Sequence, residues 1–252
     1  MPAMAAPINF MIEKVVLGKW TEERLDRLIA EGSEIADMGE RIEFLSRQLL
    51  GTPYREGTLI GDVREPEVFV VNLHEVDCFT FLDYIEAMRL ARSFGTFREN
   101  LARVRYGDGV ISYQARNHFF TDWRLHNGNF VEDVTEQVSP FWSRKVQKIL
   151  NRKEDGTLFV KGIEPSARTL CYIPADTMDS ETMDRLRTGD YAGIYTNAPG
   201  LDVTHVGIFI RKDGGLYLRH ASSLKGSRQV IDQDFTHYIA AKPGIIVLRP
   251  KT

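Results

Sequence analysis

Glu75-Val76-Asp77-Cys78-Phe79-Thr80-Phe81-Leu82, continued by Asp83-Tyr84-Ile85-Glu86-Ala87-Met88, is a polar approach that runs into an apolar helical pattern with a cysteine at its start. Asn72, His74 and Glu75 are loop-like, whereas Phe81, Ile85 and Met88 recur on one face and predict a helix from Cys78 to about Ser93. The first turn of a helix has N–H groups without intrahelical acceptors and the positive end of the helix dipole, and both favour a thiolate. The thiolate is the nucleophilic form of cysteine. A free cysteine also serves as a small buried hydrophobe. The nucleophile reading of Cys78 therefore requires a base elsewhere in the chain.

Toward the N-terminus, residues 8–50 read as helical. Thr21 is a good N-cap for Glu22-Glu23-Arg24-Leu25-Asp26-Arg27-Leu28-Ile29, and Gly32-Ser33 breaks that helix. A second helix from about Glu34 carries Ile35, Met38, Ile42, Leu45 and Leu49, and ends at Gly51-Thr52-Pro53. Val68-Phe69-Val70-Val71 reads as a strand. Beyond the central helix, Phe97 to Val104 reads as a short helix, Tyr106-Gly107-Asp108-Gly109 as a turn and Val110-Ile111-Ser112-Tyr113 as a strand. Residues 131–150 look amphipathic, with an interruption at Ser139-Pro140. From there the signals are those of antiparallel strands, at 157–162, 169–173, 190–195, 203–211, 215–221 and 244–249. Helices are expected near Ser180 to Arg187 and Asp232 to Ile239. No internal repeat or low-complexity tract is present. Helices first and strands later give an α+β fold. The expected organisation is one domain over 1–252: an N-terminal helical extension (1–50), a helix-rich lobe with Cys78 (51–150) and a β-rich lobe (151–252).

The chain has 252 residues, 43% hydrophobic and 27% charged, enough to bury a sizeable core. Its formal net charge of -3, without a long block of like charge, does not build a surface for nucleic acid or an anionic membrane. No apolar run approaches the roughly 18 residues of a membrane span. Two cysteines do not make a disulfide scaffold. Cys171 sits in the strand-like run Thr169-Leu170-Cys171-Tyr172-Ile173 and reads as structural. Pairing it with Cys78 would consume the nucleophile. Met1-Pro2-Ala3-Met4-Ala5-Ala6-Pro7 lacks the basic and long apolar regions of a secretory signal. The expectation is either a protein that stays inside or a mature form whose signal has been removed.

Of six histidines, His205 opens the strand Thr204-His205-Val206-Gly207-Ile208-Phe209-Ile210. A hairpin at Asp213-Gly214-Gly215 returns the chain through His220, so the two imidazoles lie near each other on adjacent strands. A base and the partner that orients it have this arrangement. A structural histidine pair has it too. Zinc-type spacing of the H-E-x-x-H kind is absent, so no metal site is expected. Neither a GxGxxG nor a GxxxxGK[ST] loop occurs, and no carboxylate pair is marked out for glycosidase chemistry.

Leu50-Gly51-Thr52-Pro53-Tyr54, Val76-Asp77-Cys78, Leu186-Arg187-Thr188-Gly189-Asp190 and Thr204-His205-Val206-Gly207-Ile208-Phe209 occur in the order found in the NlpC-type cell-wall cysteine peptidases. With Glu75 to Phe81 and Arg116-Asn117-His118-Phe119-Phe120-Thr121-Asp122-Trp123, the pattern resembles one branch of that superfamily, the bacterial exported N-acetylmuramoyl-L-alanine amidase-like proteins. It spans roughly residues 45–225. The resemblance implies a papain-like core, with the nucleophile helix packed on an antiparallel sheet or partial barrel. It implies Cys78 as nucleophile, His205 as base and His220 as the third, polar residue. Tyr54 resembles the tyrosine bordering the substrate groove, and Asp77 an aspartate that receives a terminal amine in some relatives. Phe79-Thr80 replace the usual Ser-Gly after the cysteine, and Arg55-Glu56-Gly57 stands where Trp-Gly-Gly often follows the tyrosine. Arg116 and His118 could bind a carboxylate, lactyl or sugar group, with Arg116 as the bidentate donor, whereas Trp123 reads as packing.

The implied function is cysteine-dependent hydrolysis of a peptidoglycan stem amide. The N-acetylmuramoyl–L-alanine bond is favoured, with the L-alanine–γ-D-glutamate bond as the alternative. A papain-like acyltransferase and a catalytically idle wall-binding module are the other readings. No metal or organic cofactor is expected. The implied partner is peptidoglycan or its muropeptide fragments, in the cell envelope or in cytoplasmic recycling.

Overall fold

The computed structural model describes residues 12–251; the expectation of helix over residues 8–11 lies outside that range. The first described element is a strand, β1 (Glu13–Val16), where the sequence predicts helix. Then come α1 (Glu22–Ser33), α2 (Met38–Arg47) and β2 (Phe69–Asn72). Thr21 caps α1 through its hydroxyl, as expected, and Asp37 caps α2. All four residues of β2 are buried, and β1 covers its edge in parallel pairing, Val15 opposite Val71. That pairing, which local periodicity does not announce, makes residues 13–16 a strand.

The central helix, α3 (Cys78–Arg89), is followed by α4 (Phe94–Arg105). Next are α5 (Phe120–His126), β3 (Val131–Asp133), α6 (Thr135–Val138) and β4 (Arg144–Leu150). The chain continues with β5 (Ser166–Pro174), α7 (Ser180–Arg185), β6 (Tyr191–Tyr195), β7 (Val203–Lys212) and β8 (Gly215–Ala221). It closes with β9 (Val230–Asp234), α8 (Phe235–Ile239) and β10 (Gly244–Pro250). The fold is mixed α and β, and its main sheet is antiparallel, in the order β4-β5-β10-β6-β7-β8-β9 with β3 on β10.

Several local expectations fail for physical reasons. Residues 110–113 form no strand; Val110 is 57% exposed, and the chain turns at Ser112, whose carbonyl accepts from Ala115 and Arg116 N–H. Residues 157–162 are bends and turns; they bridge Arg152 at Leu158 and are held by Asn151, which bonds Phe159 and Val160, and not by a strand partner. The amphipathic tract 131–150 is two strands around one turn of helix; its β4 part alternates with period two against β5. Residues 232–234 finish β9, and only 235–239 are helical. Asp213 and Gly214, both with positive φ (51° and 75°), make the tight β7–β8 turn as predicted.

Helix α3 is buried on every side: Thr80 through Arg89 are all inaccessible. It packs against α1, α2 and α4 and against β7 and β8. Three of its buried residues are charged, and each has a partner. Asp83 accepts from Arg105 Nε (2.9 Å) and from Trp123 Nε1 (3.0 Å), while Arg105 also donates to the Val70 carbonyl at 2.6 Å. Glu86 binds Arg89 (Nε–Oε2 2.7 Å) and accepts from the Tyr191 hydroxyl. Removing one partner strands the other charge in the core. Asp83→Ala or Arg105→Ala is expected to lower unfolding free energy by about 3–5 kcal/mol in urea titration, whereas an apolar Asp83→Leu/Arg105→Met pair loses less. Equal losses for the singles and the pair would show that packing, and not the ion pair, holds α3.

Candidate active site

Two strand-like connections hold Cys78 at the mouth of the sheet. Residues 51–54 lie along the extension of β9: Gly51 N–H donates to Val230 O, Val230 N–H to Thr52 O and Tyr54 N–H to Arg228 O, each at 2.9 Å. The same segment reaches across to the nucleophile loop, with Arg55 N–H to Val76 O and Val76 N–H to Pro53 O, also 2.9 Å. The Leu50–Tyr54 motif thus splices the sheet to the residues before Cys78. Tyr54 is half-buried there, and the Arg228 guanidinium lies 5.2 Å from its ring centre. Burial first, then the nearby Cys78 and Asp77 charges, raise the Tyr54 phenol above its ordinary value.

Asp77 is the N-cap of α3. Its Oδ1 accepts from Phe79 N–H (3.1 Å), Thr80 N–H (2.8 Å) and the Thr80 hydroxyl (2.8 Å), and Thr80 Oγ1 accepts Asp77 N–H at 3.0 Å. This reciprocal box accounts for threonine two residues after the cysteine. Oδ1 of Asp77 is committed to the helix; Oδ2 takes part in none of these bonds.

Cys78 is half-buried and free. It shares a pocket of about 100 Å³ with Phe79, His118, Phe119, Asp202 and His205. Burial, then the Asp77 carboxylate, push its thiol up to about 12, against the N–H groups of Val206, Cys78 and Phe79, which pull it down. His205 and His220 do lie side by side, with Nε2 to Nδ1 2.7 Å and rings edge to face at 89°. The register of β7 and β8 explains it: continuing the Ile208–Arg219 pairing sets His205 diagonal to His220 on one face. Burial, then His220 and Lys242, lower His205 to about 3. Burial lowers His220 to about 4, although Gln233 and Asp232 work the other way. At neutral pH the site holds an un-ionised thiol and two neutral imidazoles.

Sequence reasoning overlooked two neighbours. His220 Nε2 meets Gln233 Oε1 at 3.1 Å, and the ring of Tyr238 lies 5.4 Å from His220 and 6.5 Å from His205. Tyr238 is raised to about 12 by burial and the Cys78 charge. Reading 232–239 as helix put Gln233 on the wrong kind of element. A strand there, predicted from a partner-seeking edge at β8, would have put it beside His220.

The Arg116–Trp123 tract is mainly framework. The Arg116 guanidinium is not brought to the pocket: Glu67 takes it in a two-pronged pair (Nε–Oε1 3.0 Å), with help from the Gly61 carbonyl. Asn117 ties to Val104 O and His126, Asp122 to Arg168, and Trp123 to Asp83. His118 alone of the two expected binders lines the pocket. It donates through Nε2 to the Tyr113 carbonyl (2.8 Å), and burial lowers its pKa. Asp190, from the Arg187-Thr188-Gly189-Asp190 motif, clamps Arg249 with two bonds of 2.7 Å and so secures β6 to β10. Among the described residues, no cluster of metal-ligating side chains occurs and no helix is long and apolar enough to cross a membrane.

A central helix opening with a half-buried cysteine, beside a histidine-bearing antiparallel sheet, defines the class. The chain belongs to the AmiA-like, N-acetylmuramoyl-L-alanine amidase-like family, whose model matches residues 44–245. It is similar to a crystal structure of an N-acetylmuramoyl-L-alanine amidase from Bacteroides uniformis at 27% identity and TM-score 0.68, covering 90% of this chain and 99% of that one. A Bacteroides fragilis protein described as a candidate xylanase is 32% identical, with TM-score 0.66 over 81% of this chain and 98% of that one. A Legionella pneumophila protein shares the fold (TM-score 0.77, 22% identity, 92% and 94% covered). A search of curated proteins gave no match.

The charge state of the site makes two expectations. Alkylation of Cys78 by iodoacetamide, followed by peptide mass spectrometry, should accelerate steadily from pH 7 to the alkaline range; a rate plateau below pH 6 would mean a standing thiolate–imidazolium pair. Unfolded imidazoles protonate near pH 6.5, but the folded pair stays neutral down to about 3–4. The unfolded state therefore binds protons first, and stability present above pH 6.5 is lost as pH falls through 4. Melting temperature should drop over that window less in a His220→Gln variant than in the parent protein.

Proposed function

We propose that this protein is a papain-like, NlpC-type cysteine amidase acting on the peptidoglycan stem, with the N-acetylmuramoyl–L-alanine amide as its bond. The observation that carries the reading is the shared pocket of Cys78 and His205, with His205 backed by His220. Cys78 Sγ attacks the lactyl carbonyl carbon while its proton passes to His205. The tetrahedral oxyanion accepts the Cys78 N–H at the start of α3, where the helix dipole adds to the stabilisation. His205 then protonates the alanine nitrogen, and the C–N bond breaks to leave a thioester and a free stem peptide. Water, deprotonated by His205, releases the muramoyl carboxylate and restores the thiol.

Because both groups rest neutral, charge develops only as the proton moves. The N–H groups of Val206, Cys78 and Phe79 around the sulfur fit that task. The family description favours the amidase bond over the L-alanine–γ-D-glutamate bond. Asp77 supports the second bond only weakly, since its Oδ1 is used in capping. Glycosidase chemistry needs two carboxylates flanking the bond, and among the described residues Asp202 is the one carboxylate lining this pocket. A peptidoglycan substrate implies the cell envelope, or imported fragments in the cytoplasm.

Incubation with defined muropeptides should release free stem peptide; a disaccharide-L-alanine product in the mass spectrum would instead assign the second bond. Cys78→Ala and His205→Ala should each lower the rate by at least about 10³-fold, and His220→Ala by less. Activity surviving in Cys78→Ala sinks the thiol mechanism.

A further inference from the structure

The two imidazoles are the first links of a longer hydrogen-bonded chain. His205 on β7, His220 on β8 and Gln233 on β9 come from three consecutive strands. Across β8 and β9, His220 pairs with Ile231 and Leu218 with Gln233, so Gln233 lies diagonal to His220 on the same face. The contacts are His205 Nε2 to His220 Nδ1 at 2.7 Å and His220 Nε2 to Gln233 Oε1 at 3.1 Å. His220 is 2% exposed, so this chain is closed to solvent at its middle. His205 Nδ1 has no hydrogen-bond partner among the described residues, and the ring shares its pocket with Cys78.

We propose that Gln233 is a positioning residue that sets the tautomer of both histidines, an inference that rests on the amidase reading of this site. A neutral imidazole has one N–H and one lone pair, so each bond in the chain dictates the next. The Gln233 carbonyl oxygen only accepts; His220 must then carry its proton on Nε2 and present a lone pair at Nδ1. That lone pair accepts from His205 Nε2–H, which leaves a lone pair on His205 Nδ1. In the attack step, the Cys78 Sγ proton moves to this nitrogen, and the His205 imidazolium keeps its Nε2–H bond to His220. A donor in place of the Gln233 carbonyl would reverse every link. His220 would then donate from Nδ1, His205 would hold its proton on Nδ1, and no base would face the thiol. Gln233 thus does for this pair what an aspartate or asparagine does in shorter triads, but without adding a charge to the buried site.

The charged and titratable groups around the pair are Asp232 on β9, Lys242 after α8, Tyr238 on α8 and Cys78 at the start of α3. Gln233→Leu removes none of them and adds no charge, so a change in its pH profile reports on the hydrogen-bonded chain itself.

The test combines substrate-free 15N NMR of histidine-labelled protein at pH 8 with steady-state kinetics of Gln233→Leu and Gln233→Glu. Wild type should show a protonated Nε2 and a bare Nδ1 on both His205 and His220. Gln233→Leu should lose the single-tautomer pattern and lower kcat by about 10- to 100-fold, with KM nearly unchanged. Gln233→Glu keeps an acceptor; it should retain the wild-type tautomers, stay within about threefold of wild-type kcat at pH 8 and move the acid limb of the profile to higher pH. A proton on His205 Nδ1 in wild type overturns the proposal, as does a folded Gln233→Leu with unchanged kcat. If Gln233→Leu fails to fold, a natively melting Gln233→Glu that is inactive at every pH overturns it as well. Failure of wild type to cleave any muropeptide would refute the amidase reading, and the NMR result would still decide the tautomer assignment.

Discussion

The constraint on which the structure depends is that α3 is buried on every side while carrying Asp83, Glu86 and Arg89. A helix in that position cannot turn a polar face to water, so each charge must find its partner inside. Arg105 and Trp123 serve Asp83; Arg89 and Tyr191 serve Glu86. Apart from Arg89, which is on α3 itself, these partners come from α4, α5 and β6, so pairing the charges also pins three other elements around the helix. An ion pair of this kind contributes little net stability but is costly to break. Its consequence is register: α3 cannot slide or rotate without stranding a charge, and the position of Cys78 follows.

At the N-terminus of that helix, opposing electrostatic effects meet. Three backbone N–H groups draw charge onto the sulfur, while burial and the capping carboxylate of Asp77 repel it, and the second pair prevails at rest. Asp77 therefore stabilises the helix start and disfavours the thiolate with the same carboxylate. The histidines obey the same rule, since a dry environment shared by two imidazoles disfavours the first proton on either. A neutral resting site makes the direction of each hydrogen bond decisive, because tautomers rather than charges determine which atom can accept a proton.

Much of this was legible in the sequence, and the failures have a common cause. Thr21 capping α1, the Asp213-Gly214 turn and the cysteine opening α3 are local features, encoded by residues within one turn of each other. The strand at 13–16 exists because β2 needs a cover, and the strand at 144–150 because β5 needs one. Neither requirement is local. Arg116 is the sharpest case at the site: a free guanidinium near a groove looks like a carboxylate binder, yet Glu67, 49 positions earlier, already holds it.

By itself, then, the sequence determined the parts whose physics is short-range: the α+β class, the helix that starts at Cys78, the hairpin that brings His205 to His220, and a resemblance that leads to the amidase-like family. Only the tertiary structure decided which polar residues are framework and which line the pocket, that Thr80 completes the cap, and that Gln233 ends the imidazole chain. Hydrogen-bond partners across strands depend on register, and register is set by burial over the whole sheet, not by the residues on either side.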